Sequence, residues 1–260
     1  MAKSVKKSSG NECKVIEFII KNKGSLLLDH VGLVNEIENP TSDGEFLLID
    51  SVEDVETENA FKKADIFINK KGISIKQDGS SFSYNRIQRD NLEEIFKKLK
   101  FHNPSENIKK LDELILKFHN GHIKPRDRHW SEAFNKLDFR KLLEYLMMKG
   151  CLINGDSLYP AEFILTAPPK GINSENIVVM SFDEYFQANI ERFYIALRRV
   201  WVGQKSKSEH RRALGIISKE ANSPWCFETI SGKPKQWRPE AEFPINQRRT
   251  VYVIFIVIKD

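Results

Sequence analysis

The sequence predicts a mixed α/β (α+β) fold, with a central mixed sheet flanked by helices and a β-rich C-terminal part. Three observations predict it. Apolar residues recur at helical spacing through much of the first 150 residues, four isoleucines alternate across a hairpin at 65–77, and from about residue 160 short apolar runs alternate with Gly-, Pro- and Ser-rich loops. Of the 260 residues, 40% are hydrophobic and 30% charged, a balance that suits a folded chain rather than a disordered one.

Residues 1–12 read as a flexible basic tail, and 13–260 as a single domain. In "ECKVIEFIIKNKG" the spacing of Val15, Phe18 and Ile19 predicts a helix ended by Gly24. "SLLLDHVGLVNEIENP" predicts a second helix, stopped before Pro40. "GEFLLIDSV" reads as a strand, and the acidic stretch through Glu58 as a loop or short helix. After the hairpin, "SYNRIQRDNLEEIFKKLK" is an amphipathic helix with Ile87, Leu92, Ile95, Phe96 and Leu99 inward. Two further helices are expected, one capped by Ser105 and ended by Gly121, the other running from a Ser131 cap to Gly150. Strands follow in "AEFILTAP", "ENIVVMSF", "FYIALRRVWV" and "RRTVYVIFIVIKD".

Several function classes drop out. The longest apolar run, Val251–Ile258, is strand length and too short for a membrane helix. The basic N-terminus lacks the apolar stretch of a secretory signal, and Cys13, Cys151 and Cys226 stand in no metal-ligand spacing, so reduced thiols in the cytoplasm are expected. No phosphate-cradling G-x-x-x-x-G-K and no dinucleotide fingerprint occurs. His119, His122 and His129, near Asp127, match no dependable metal pattern and read as a polar connection or a loop that touches DNA.

The hairpin carries the chemistry. With a two-residue turn at Lys70–Lys71, Ile68 pairs with Ile73, Ile66 with Ile75 and Asp65 with Lys76. The isoleucines then share one face, and Asp65, Ser74 and Lys76 the other. A type I turn with Gly72 in a bulge would slip the register by one and mix the faces, which the hydrophobic pattern disfavours. The plain reading of the Asp65–Lys76 pair is a surface salt bridge, worth up to about 1 kcal/mol. The flanking sequence favours a function. "QDGSSFSYNRIQR" leaves the lysine strand as a polar loop and enters a helix with Asn85, Arg86 and Arg89, groups that grip phosphates and base edges.

The net charge of +5 is unevenly placed. Residues 190–249 hold thirteen Lys/Arg against six acids, a surplus that suits a polyanion, although a solvated basic face would read the same way. Within it "LRRVWVGQKSKSEHRR" sets Arg198, Arg199, Lys205, Lys207, Arg211 and Arg212 around Trp201. Such a segment can hold a DNA backbone and let one or two arginines read guanine edges.

An acid opening one strand, eight intervening residues, then "SIK" (Ser74–Ile75–Lys76) and a helix resembles the PD-(D/E)XK nuclease superfamily. In size, hairpin and basic C-terminal part the chain resembles a type II restriction endonuclease. The resemblance implies a restriction-endonuclease-like core at about 25–100 and a basic DNA-recognition part at about 190–249. It further implies Mg²⁺-dependent, sequence-specific cleavage of double-stranded DNA, a DNA methyltransferase as genetic companion only, and either a monomer or a homodimer. Asp65, Ser74 and Lys76 would be the catalytic residues. Asp65 and the Ile75 carbonyl would hold the metal, joined by an acid from an earlier helix, for which Glu38 is preferred over Glu36. Lys76 would orient or deprotonate the attacking water. The sequence departs from the family in placing Ser74 where Asp or Glu usually stands, which puts the number of metal ions in question. A DNA-binding protein without catalysis, and a repair or structure-specific nuclease, are the alternatives.

Overall fold

The computed structural model describes residues 11–41, 44–55, 62–77, 86–151, 155–202, 207–228 and 249–259. In chain order its main elements are α1 (Asn11–Lys21), β1 (Leu27–Leu28), β2 (Gly32–Leu33), β3 (Ile37–Pro40), β4 (Phe46–Leu48), β5 (Ile66–Ile68) and β6 (Lys71–Gln77). Then come α2 (Arg89–Lys98), α3 (Pro104–His119), β7 (Asp127–His129), α4 (Lys136–Glu144), β8 (Gly150–Cys151), β9 (Gly155–Asp156), β10 (Phe163–Ala167) and β11 (Val178–Ser181). The last are α5 (Phe182–Asn189), β12 (Phe193–Trp201), α6 (Lys207–Ile217), β13 (Cys226–Glu228) and β14 (Arg249–Ile258). The fold is mixed α/β, and no helix among the described residues is long and apolar enough to cross a membrane.

The chain forms two compact units. The first comprises Met1–Phe82, Leu143–Arg192 and Ile258–Asp260, the second Ser83–Leu142 and Phe193–Val257. In the first, six strands run in the order β11-β10-β6-β5-β3-β4, with only β10 and β6 parallel. The core is built on the hairpin. Ile66, Ile68, Ile73 and Ile75 are fully buried and cluster with Val15, Ile16 and Ile19 of α1. Fully burying an aliphatic side chain stabilises by about 1.5–3 kcal/mol, so this layer dominates the unit. In the second unit four antiparallel strands run β13-β14-β12-β7, and Ala213 and Ile216 of α6 pack on Val200, Val251 and Val253.

The hairpin register differs from the sequence expectation by two residues. Ile66 pairs with Ile73, Phe67 with Gly72 and Ile68 with Lys71, so the turn is Asn69–Lys70. Both turn residues have positive φ, 48° and 67°, the requirement of a tight hairpin turn that follows strand twist. Asn69 tolerates that conformation, and its side chain ties the tip down. Its Oδ1 accepts from the Asn35 and Glu36 N–H groups at 3.1 Å, and its Nδ2 donates to the Leu33 carbonyl at 2.7 Å. A two-residue slip leaves each strand's inward set inward, so the core face survives while the opposed pairs change. Gly72 is needed for close approach, since a Cβ there would lie 2.4 Å from the Pro160 carbonyl oxygen.

Other expectations also change. Residues 25–40 form a β-hairpin and β3 rather than a helix. Leu26 and Leu28 are buried while Leu27 is exposed, a period of two, and His30 and Gly32 turn at φ 62° and 86°. The helix expected from Ser131 begins at Lys136, where the Asn135 side chain accepts the Asp138 N–H at 2.9 Å. The 103–119 helix is entered from Asn103 with Pro104 in its first turn, ahead of Ser105. Ile87 lies outside α2 and instead bridges to Ile254. Helices α5 and α6 are additions.

Two substitutions test the hairpin in opposite directions. Gly72→Ala lowers stability by about 1–3 kcal/mol because backbone must move. Lys70→Gly removes a left-handed penalty of about 1–2 kcal/mol against a glycine entropy cost of about 0.5–1 kcal/mol, so stability holds or rises. Thermal melts of both variants read the two signs.

Candidate functional site

The site lies in the first unit, where β6 runs on past the start of β5. Asp65 sits just ahead of β5, and its N–H donates to the Ile73 carbonyl at 2.8 Å. Its carboxylate continues the ladder where the backbone ceases to. The Ile75 N–H donates to Oδ2 at 2.6 Å, and the Ser74 hydroxyl lies 3.5 Å from the same oxygen. Oδ1 has no protein partner among the described residues. Ser74 is 1% exposed, so its hydroxyl supports Asp65 from beneath. Asp65 thus stands beside Ser74 and Ile75, correcting its expected position squarely opposite Lys76.

Lys76, half-buried, donates from Nζ to the Ile75 carbonyl at 3.2 Å. Among the described residues no ion pair joins it to Asp65 or to any other acid. That disposes of the surface salt bridge as the reason for the two charges. The acid and the amine share a site without neutralising each other by contact. Lys62 adds a second ammonium group, donating to Asn39 Oδ1 at 3.0 Å and to the Asp65 carbonyl at 3.3 Å.

A further acid, missed from sequence, belongs here. Glu12, in the first turn of α1, has its pKa raised above the ordinary carboxylate value. Burial of the carboxyl is the main cause and the Asp65 charge the second, opposed by Lys76 and Lys62. The residue as a whole is exposed, so solvent screens part of this repulsion and only its direction is used below. Glu12 precedes Val15, Ile16 and Ile19 by one and two helical turns and so shares their core-facing stripe. A carboxylate on that stripe was the signal that could have found it.

Glu38, the acid expected to join Asp65, is half-buried on β3, paired with Phe67. Its side chain makes no hydrogen bond or ion pair among the described residues. Glu36 precedes β3, held by Asn69 through its backbone. Neither lies on a helix, which corrects the expectation for both.

The candidate donors are hard oxygens: Asp65 Oδ1, the Ile75 carbonyl, which also accepts from Lys76, and the carboxyl of Glu12, which lies within the electrostatic reach of Asp65. Mg²⁺ is commonly held by one or two carboxylates and keeps several waters, so this set fits it. No group of three His, Cys, Asp or Glu side chains suited to a metal occurs among the described residues. The histidines are dispersed: His119 binds Tyr252, and His129 binds Ser131 at 2.7 Å.

The second unit carries most of the residues expected to contact DNA. Arg86 and Arg198 are exposed, and both guanidinium groups lie 5.7 Å from the centre of the Phe255 ring. Arg199 lies 4.8 Å over Phe118 and donates from Nε to the Tyr252 hydroxyl at 2.9 Å. The same hydroxyl is hydrogen-bonded to His119 Nδ1, 3.0 Å away. Burial first, and the Arg199 charge second, hold the His119 pKa below its usual value. Lys207, Arg211 and Arg212 are exposed on α6. Arg89 departs from the expectation. Its Nε and one terminal nitrogen grip Asp112 at 2.9 Å each, and the other binds the Ala221 carbonyl at 3.0 Å, making it a strut between α2 and its neighbours. Asn85 and Lys205 lie outside the described residues.

Compared with known proteins, the chain matches no family model, no curated protein and no solved structure at a significant level.

Proposed function

We propose that the protein is a Mg²⁺-dependent endonuclease acting on double-stranded DNA, with a restriction-endonuclease-like core and the cleavage specificity of a type II restriction enzyme. The observation that carries this reading is the convergence of Asp65 and Lys76 on one end of the sheet without an ion pair between them. A lysine kept for stability would close onto the carboxylate. Here each keeps capacity to spare, Asp65 in Oδ1 and Lys76 in the remaining ammonium protons.

Asp65 Oδ1, the Ile75 carbonyl and the Glu12 carboxylate would hold Mg²⁺. The bound ion supplies Lewis acidity and a water of lowered pKa. Lys76 then orients the attacking water and offsets charge on the phosphate. Ser74 keeps Asp65 in place from beneath, and Glu12 supplies the second carboxylate that position 74 lacks. The basic surface of the second unit would grip the DNA backbone, with Arg198 or Arg86 placed to read a base. A cytoplasmic location belongs to this reading. A DNA methyltransferase would be the genetic companion.

A second reading, DNA binding without catalysis, is favoured by one observation: position 74 carries a buried serine instead of a carboxylate. Incubation with plasmid DNA and Mg²⁺ separates the two. Discrete fragments support cleavage at a sequence, whereas binding with no cutting under any divalent cation supports the second reading. On the first reading, Lys76→Ala slows cutting by about 10²–10⁴-fold and Asp65→Asn abolishes it, while both still shift DNA in a gel.

Glu12 gives a test that does not depend on turnover. Its raised pKa means that the native state holds a proton more tightly than the unfolded chain does. Without metal, stability falls as pH rises from the ordinary carboxylate value through the raised one. Glu12→Gln cannot ionise and lacks that loss. The melting temperature of Glu12→Gln minus that of the parent should therefore grow with pH, and Mg²⁺ should narrow the gap by stabilising the parent alone. A pH-independent difference would count against Glu12 as a carboxylate of this site.

A further inference from the structure

The flank of α1 carries a feature that the proposed function does not use. Lys14, Glu17, Phe18 and Lys21 form one wall of an open groove of about 390 Å³, and the segment 169–172 forms the other. Phe18 and Ile172 are partly buried against the core and give the groove an apolar base. Lys21 is committed to Glu17 at 2.7 Å. Lys14 and Lys170 are exposed, and among the described residues neither makes a hydrogen bond or an ion pair.

The second wall is fixed in advance. Asn176 Nδ2 donates to the Gly171 carbonyl at 2.8 Å, and Asn173 Oδ1 accepts from the Glu175 and Asn176 N–H groups at 2.9 and 3.1 Å. Gly171, at φ 69°, takes the left-handed turn that lets the chain bend there. Lys170 thus projects from a loop held in shape by its own side chains.

One wall belongs to the helix that carries Glu12, and the other follows the strand that neighbours β6. Lys14 follows Glu12 by two residues, about 3 Å along the axis of α1 and about 200° around it, so the two share the N-terminal end of the helix but not a face. Strand β10 runs parallel to β6 with Thr166 beside Lys76 and Ala167 beside Gln77. Residues 168–170 therefore leave the sheet at the end where Lys76 stands. Two exposed ammonium groups facing one groove, one of them on the segment that leaves the sheet at the Lys76 end, suit the repeating anion of a nucleic acid backbone.

The geometry points to the Lys14–Lys170 groove as a subsite for a DNA backbone phosphate flanking the scissile one, so that the catalytic unit makes sequence-independent contacts of its own. This inference rests on the nuclease reading for its partner, and its test is chosen to stand apart from cleavage. DNA affinity is measured across a salt series for the cleavage-deficient Asp65→Asn protein, with and without Lys14→Gln and Lys170→Gln together. The expected result is a fall of about 2 in the slope of log K against log salt, about 0.9 for each charge removed. The loss should be the same for specific and unrelated duplexes, with the melting temperature unchanged. An unchanged slope overturns the subsite. So does an equal fall for Lys23→Gln with Lys149→Gln, two exposed lysines of the first unit outside the groove, because the effect would then report net charge alone. If the parent never cuts DNA yet the slope falls as expected, the groove stands and the catalytic reading fails.

Discussion

The bond from the Ile75 amide to Asp65 Oδ2 holds the candidate site together. Where β5 and β6 part, an edge amide would otherwise be left open, and burying it unpaired would cost about 1–3 kcal/mol. The carboxylate takes the role of the missing backbone acceptor. In doing so it turns one oxygen inward and leaves the other for a ligand. A charge-assisted bond of this kind is short and directional, so it sets the carboxylate's orientation as well as its location. The rest of the site is arranged around that fixed point: Ser74 below it, Lys76 beyond it on β6, and Glu12 on α1 within reach of its charge.

How the site was read from sequence follows from which physical signals are local. The two faces of the hairpin were legible because a period of two requires no knowledge of the partner strand. The register was not, because it depends on which residue takes the left-handed turn. Asn69 takes it with help from Asn35, Glu36 and Leu33, more than thirty residues away in the chain. Glu12 stayed hidden for the same reason: nothing near it in sequence marks an acid on a core stripe as the neighbour of residue 65. The stretch from 25 to 40 misled more directly. Its leucines fit a helix as well as alternating strands, and only the positive φ at His30 and Gly32 decides between them. Among the arginines, composition foretold a basic region but could not tell Arg89, bound to Asp112, from the exposed Arg86 and Arg198.

The two units spend their polar groups differently. In the second, Arg199, Tyr252 and His119 form a hydrogen-bonded chain set among Phe118, Trp201 and Phe227. Aromatic faces and a hydroxyl satisfy the guanidinium without a carboxylate, so its positive charge is retained. At the candidate site of the first unit, Asp65 and Lys76 sit on the same residue's amide and carbonyl without an ion pair, and burial first and the Asp65 charge second raise the pKa of Glu12. Retained charge suits contact with a polyanion, and strained charge suits chemistry; the fold keeps them on separate scaffolds.

The parallel pairing of β6 with β10 also orders events in synthesis. The strand that ends at Gln77 waits for its neighbour until Ala167 has been made, and the intervening chain supplies much of another unit. A nascent polypeptide on the ribosome therefore has α1 and the hairpin early but lacks the flank that closes the sheet beside Lys76. Such long-range closure is slow compared with local hairpin formation. A chain halted before that point holds Asp65, Ser74 and Lys76 in an unfinished frame, so the surroundings of these side chains are complete only once the strand at Phe163–Ala167 has docked.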